Sequence, residues 1–140
     1  MAKIHFHFLD RTPALTGRNA LKQFVETLFD KEQAKLESLT YVFCSDEYLL
    51  QVNRDFLKHD FYTDVITFDL SSNKNEVAGE IYISIDRVKE NAQTLGVSFR
   101  NELHRVIFHG ALHLCGYKDK TKADISIMRS REDKYLKDYL

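Results

Sequence analysis

The sequence predicts an α+β fold in one domain, a small mixed four-stranded sheet packed with about five helices, and three observations lead there. The 140 residues, 44% of them hydrophobic, suffice to bury a core without disulfide or metal staples. Segments of period two and segments of period three to four alternate along the chain, which argues for helices layered on a sheet. A single proline, five scattered glycines and no repeat or low-complexity tract mark no internal boundary, so residues 1–140 read as one domain.

IHFHFL (4–9) alternates apolar residues with His5 and His7, as a strand with one solvated face does. Thr16 is positioned to cap a helix through about Lys31, whose core face is Leu21, Phe24, Val25 and Leu28. LTYVFCS (39–45), β-branched and aromatic, is the second strand, and Ser45 or Asp46 can cap a helix over DEYLLQVNRDFL (46–57). HDFYTDVITFDL leads into a third strand and VAGEIYISI (77–85) forms a fourth, with the turn-prone SSNKNE between them predicting an antiparallel hairpin. Asp86 opens a helix that Gly96 stops near Leu95, Ser98 caps another running through Cys115, and Arg131–Leu140 is the last helical stretch.

Charge and composition narrow the function classes. A net charge of −1 with a pI near 6.6 gives no global basic field toward nucleic acid or anionic membrane, so a polyanion has to be held locally. No apolar run approaches the roughly 20 residues of a membrane span, and MAKIHFHFLDRT lacks a secretory signal, so a cytoplasmic location is expected. Cys44 and Cys115 stand far apart without a CxxC pair, which argues against a zinc ribbon or redox site and for core packing.

HGALHLCGYKDK (109–120) carries the chemistry. His109 and His113, one helical turn apart, project to the same side, where two imidazoles can share a Zn²⁺ at about 2.0–2.1 Å each. Gly116 can adopt a left-handed conformation that ends the helix, so that Asp119 swings back as a third ligand. Three protein ligands leave a fourth position open, as in catalytic rather than structural zinc sites, here at the end of a core helix. His104 points to another face and Cys115 faces away, so neither is a fourth ligand. A zinc peptidase of the HExxH type needs a glutamate where this chain has Gly110, which demotes that chemistry. Between residues 100 and 122, Arg100, Arg105, Lys118, Lys120 and Lys122 face only Glu102 and Asp119, five positive charges against two, a local excess suited to phosphates.

HGALHLCGYKD (109–119) resembles the YbeY endoribonuclease family, whose signature is a helix carrying HGxLHLxGYDH. VNRDFLKHDFYTDVITF (52–68) resembles the family's second block, with its Thr-Asp-Val-Leu-Ser-Phe strand, and GEIYIS (79–84) resembles the strand that follows. Two departures stand out. The family's third histidine falls on Asp119, with Lys118 before it, and an arginine following the aromatic of the second block falls on Leu57. The resemblance implies a metal-dependent, single-strand-specific endoribonuclease acting in ribosomal RNA maturation and ribosome quality control. Its partners would be single-stranded RNA, chiefly ribosomal, and the ribosome or its associated proteins, with no membrane or DNA. One divalent metal is implied, Zn²⁺ foremost, on His109, His113 and Asp119, and the carboxylate makes Mn²⁺ more accessible. With Leu57 unable to hold a phosphate, Arg54, Lys58 and Arg105 are the candidates. The nucleophile and general base stay open, Asp64 and Glu80 being the carboxylates that can enter from the strands. The competing reading is a non-catalytic ribosome- or RNA-binding assembly factor with a structural metal.

Overall fold

The computed structural model describes residues 3–140. In chain order it contains β1 (Ile4–Phe8), α1 (Arg18–Lys31), β2 (Leu36–Cys44), α2 (Asp46–Val52), a π-helical turn (Asn53–Leu57), β3 (Val65–Asp69), β4 (Val77–Ser84), α3 (Ile85–Leu95), α4 (Phe99–Leu114) and α5 (Lys122–Tyr139). The strands form one mixed sheet in the order β1-β2-β4-β3. β1 and β4 both run parallel to β2, with Ile4 opposite Leu39 and Tyr41 opposite Ile81, and β3 is the antiparallel edge, with Ile66 opposite Tyr82. The expected mixed four-stranded sheet and β3–β4 hairpin are therefore present.

β2 is central, and its run Tyr41–Cys44 is buried throughout because both faces of the sheet are covered. One face carries the main core, in which Tyr41, Phe43, Ile81 and Ile83 meet apolar residues of α1, α3, α4 and α5. A smaller cluster of Cys44, Leu49, Val52 and Ile66 brings α2 onto the opposite face. Each fully buried aliphatic side chain of this kind contributes about 1.5–3 kcal/mol relative to exposure. The Tyr41 hydroxyl, buried within the core, donates to the Ile107 carbonyl at 2.8 Å and ties β2 to α4. Among the described residues no helix is long and apolar enough to cross a membrane.

Several boundaries differ from expectation. Thr16 does not cap α1; Gly17 does, at φ 63° and ψ 40°, its carbonyl accepting from Leu21 N–H at 2.9 Å. A left-handed turn available to glycine supplies the helix entry without a side-chain cap. α3 begins at Ile85 with Ser84 as its cap, and β2 begins at Leu36. The segment 46–57 is helical as expected from Ser45, but its last turn widens to a π-turn, where the buried Asn53 takes the His59 N–H on its carbonyl at 3.1 Å. The largest correction concerns α5, which starts at Lys122 rather than Arg131. Thr121 and Asp124 close a capping box. Its buried stripe of Met128, Glu132, Tyr135 and Leu136 has an acid in the middle, while Ile125 and Ile127 are exposed, so the apolar periodicity that announces a helix is weak there.

Candidate metal centre and cleft

α4 places the histidines. Ser98 accepts from Asn101 N–H at its start, and Leu103, Val106, Ile107 and Ala111 bury the sheet-facing stripe, which turns His109 and His113 outward. Gly110 lies against the sheet: a Cβ there would come within 2.8 Å of Ile81 Cδ1 and Cγ2. At the position that a peptidase would fill with glutamate, any side chain thus requires Ile81 to shift.

The helix ends in a Schellman motif. Tyr117 N–H bonds to the Leu112 carbonyl at 3.1 Å, Gly116 N–H bonds to the His113 carbonyl at 3.0 Å, and Gly116 takes φ 105°. Tyr117 then anchors the returning chain, its hydroxyl donating to Glu32 Oε1 at 2.7 Å, and the Tyr135 hydroxyl donates to the other oxygen of the same carboxylate. Those bonds outweigh the burial that would raise it and hold the Glu32 carboxyl below the usual range.

The return brings Asp119 Oδ2 to 3.1 Å from His113 Nε2 and 3.4 Å from His109 Nε2. One ligand atom from each of the three residues lies within 4.8 Å of the others. Ligands of a tetrahedral zinc at about 2.0–2.1 Å stand about 3.3 Å from one another, so both separations suit a shared ion. Sequence reasoning missed Glu132, which is buried and accepts from His109 Nδ1 at 2.6 Å. That bond fixes the tautomer, leaves the Nε2 lone pair facing Asp119, and is the outer-sphere support usual for a metal-bound histidine. Both ring nitrogens of His109 thus face carboxylates. Burial alone would lower its pKa, but the bond to Glu132 and the charges of Glu132, Asp119 and Asp64 raise it overall, so the site favours a positive charge at Nε2. In the sequence Glu132 shows only as an acid in helical register with Met128, Tyr135 and Leu136; its burial is settled by the fold.

These groups lie in an open cleft of about 720 Å³ between α4, α5 and the strand β3 with the segment before it. Asp64 and Glu102 both line it. Burial raises the pKa of each, and for Glu102 the charge of Asp64 adds to that. Glu102 is buried and its Oε1 has no hydrogen-bond partner among the described residues. Glu80 does not line the cleft and instead accepts from the Tyr82 hydroxyl at 3.1 Å.

Of the three phosphate candidates only Arg105 lines the cleft, fixed by Glu132 Oε1 at 2.9 Å and Asp133 Oδ1 at 2.8 Å. Arg54 pairs with Asp60 and the Lys58 ammonium donates to the Asp55 carbonyl at 3.4 Å, both outside the cleft lining, whereas Leu57 is part of it. Arg129, unnoticed in the sequence, also lines the cleft; its side chain is largely exposed and reaches the same Glu132 Oε1 at 3.5 Å. His104 is not near the triad: it bonds to the Arg100 carbonyl through Nδ1 at 2.7 Å and stacks on Tyr139. Cys44 is fully buried, and Cys115 packs against the main core with its thiol pushed up to about 12 by burial.

The family model described as Endoribonuclease YbeY matches residues 10–140. Proteins named Endoribonuclease YbeY are similar along most of the chain. That of Cytophaga hutchinsonii is 51% identical over 133 residues, covering 95% of this chain and 93% of the relative. That of Porphyromonas gingivalis is 43% identical over 136 residues, 97% and 89% of the two chains. The solution structure of a Thermotoga maritima protein superposes with a TM-score of 0.64 at 27% identity, covering 94% of this chain and 86% of that one. With its motifs, its cleft and its relatives in agreement, this chain belongs to the YbeY endoribonuclease family.

Proposed function

We propose that the chain is a metal-dependent endoribonuclease that cuts single-stranded RNA in ribosomal RNA maturation, with residues 1–140 acting as one hydrolase domain. The observation that carries this is the convergence of His109 Nε2, His113 Nε2 and Asp119 Oδ2 on one point inside an open cleft. An ion held there is reached from the cleft and, among the described residues, no fourth side chain joins the group, which favours turnover over a structural metal. The names of the relatives supply the substrate class. Zn²⁺ fits the two imidazoles best, and the Asp119 carboxylate widens the choice toward Mn²⁺. A cytoplasmic location and ribosomal partners follow from that substrate.

A bound divalent ion supplies Lewis acidity toward a phosphodiester oxygen. The protein does the rest. Glu132 orients His109, and Tyr117 on Glu32 holds the loop that returns Asp119. Arg105, braced by two acids, and the freer Arg129 put positive charge along the path of the backbone. Cleavage takes a proton from the attacking hydroxyl and gives one to the departing oxygen, and Asp64 and Glu102 are the cleft carboxyls suited to that exchange.

Metal content and cleavage of single-stranded RNA, measured together in wild type, His113→Ala and Asp119→Ala, test the reading. The expected result is one equivalent of metal and cleavage in wild type, and loss of both in the two variants. Metal retained by Asp119→Ala would remove that acid from the ligand set, and a metal-loaded wild type that never cuts RNA would overturn the enzyme.

A further inference from the structure

From the π-helical turn to the start of β3 the chain presents three aromatic rings to solvent, Phe56 within the turn (70% exposed) and Phe61 (51%) and Tyr62 (49%) after it. Exposed apolar rings grouped in one place mark contact sites. Two of the three have local partners outside the cleft: Phe56 sets its edge on Phe68 at 6.0 Å, and Arg87 lies over Tyr62 at 5.1 Å. Phe61 is different. Its aromatic neighbour is His59, stacked at 5.1 Å with the ring planes 24° apart, and both rings line the cleft that holds His109, His113 and Asp119.

We propose that His59 and Phe61 form a nucleobase-stacking platform at the lip of the cleft, holding one base of a single-stranded RNA beside the metal centre. The proposal deepens the ribonuclease reading and rests on it.

The loop is built in advance. Asn53, almost fully buried, donates from Nδ2 to the Phe61 carbonyl at 2.9 Å and accepts the His59 N–H on its own carbonyl at 3.1 Å. One side chain and its backbone therefore clasp both platform residues. Lys58, the residue just before His59, sits at φ 58°, a left-handed conformation that costs a lysine free energy and persists where the surroundings enforce it. A π-helical turn ending in such a residue is a local irregularity of the kind concentrated at functional sites. The backbone that carries both rings is thus held before a ligand arrives, which lowers the entropy cost of ordering the loop when a base stacks there.

The occupant follows from the surroundings. Both residues line a concavity of about 720 Å³, within the size range of small-ligand sites, rather than a convex surface suited to a protein partner. The same cleft is lined by Ile125, half exposed, and by Arg129, whose largely exposed guanidinium offers charge to a phosphate while the rings take the base. With a net charge of −1 the molecule has no global field to gather RNA, so affinity has to come from local contacts. Stacking on aromatic rings is such a contact, and it accepts any base because every base has a π-face.

The chain contains no tryptophan, so Phe61→Trp introduces a single reporter. Metal-free Phe61→Trp is titrated with a single-stranded 2′-O-methyl oligonucleotide, which resists cleavage, and with the same backbone carrying abasic sites. The expected result is saturable quenching of the indole by the base-bearing strand and none by the abasic one. In parallel, Phe61→Ala and His59→Ala bind the labelled base-bearing strand about tenfold more weakly than wild type, with abasic binding unchanged. Absence of quenching, wild-type affinity in Phe61→Ala, or an equal loss for the abasic strand would each overturn the platform. A lip that instead receives a protein segment leaves the oligonucleotide signal flat and fails the same way. If metal-loaded wild type cuts RNA while Phe61 is silent, the platform falls and the ribonuclease stands; base-dependent quenching in a protein that never cuts RNA keeps the platform and removes the ribonuclease.

Discussion

Glu132 is the side chain on which the metal centre turns although it touches no candidate ion. It is buried, holds His109 Nδ1 at 2.6 Å, and braces Arg105 at 2.9 Å. Glu132→Gln keeps the shape and removes the charge, so metal affinity is expected to fall roughly 10–100-fold in competition with a chromogenic chelator, whereas loss of His113 or Asp119 costs more. An unchanged affinity would reduce Glu132 to a packing role. His104, on the same helix, has the opposite electrostatic environment. Burial disfavours its imidazolium, its bond to the Arg100 carbonyl offsets this only in part, and its pKa lies below the ordinary 6.5. The folded state then binds fewer protons than the unfolded chain as the pH falls through 6.5. Stability present above that pH is lost progressively below it, down to the folded value. In urea unfolding between pH 7.5 and 5, the wild type should lose stability that His104→Phe does not, and parallel curves for the two would refute this.

Among the elements, α4 is the one whose position decides the site, because its histidines face the cleft only while its other side lies flat on the sheet. Gly110 permits that approach. Gly110→Ala pushes a methyl into Ile81 and is expected to cost about 1–3 kcal/mol in urea unfolding, with a weakened metal site as the helix lifts. A neutral result would mean that the Ile81 side chain swings aside. α4 was also the element most legible in the sequence, since its Ser98 cap, its apolar stripe and the glycine after His113 all follow local rules. α5 was the least legible. Its stripe contains Glu132, an acid whose burial makes sense only once His109 and Arg105 are across from it, and that is tertiary information. The same reason hid Arg129 and separated Asp64 from Glu80: one acid stands just before β3 and the other on β4, but only the fold decides which one lines the cleft. Leu57 illustrates the reverse case: the resemblance marked it as the position of the family arginine, and the fold places it in the cleft lining, while Arg54 and Lys58 stand outside that lining.

For the molecule as a whole, the question is whether the metal holds the fold or works on it. The main core runs from Ile4 to Leu136 and closes around β2 without contribution from His109, His113 or Asp119. The loop that returns Asp119 has its own anchors, the Schellman bonds after His113 and the two tyrosine hydroxyls on Glu32. Nothing in that list requires an ion, unlike a zinc finger, whose core is too small to fold without one. Chelation is therefore expected to abolish RNA cleavage while leaving the far-UV circular dichroism of the helices and sheet unchanged. The ion should still stabilise by mass action, about 4 kcal/mol at a free concentration a thousandfold above its dissociation constant, so the melting temperature falls on chelation and recovers in proportion to the logarithm of added metal. If the chelated protein instead loses its helical signal, the ion is part of the architecture, and the catalytic role assigned to the open side of the site loses its main support.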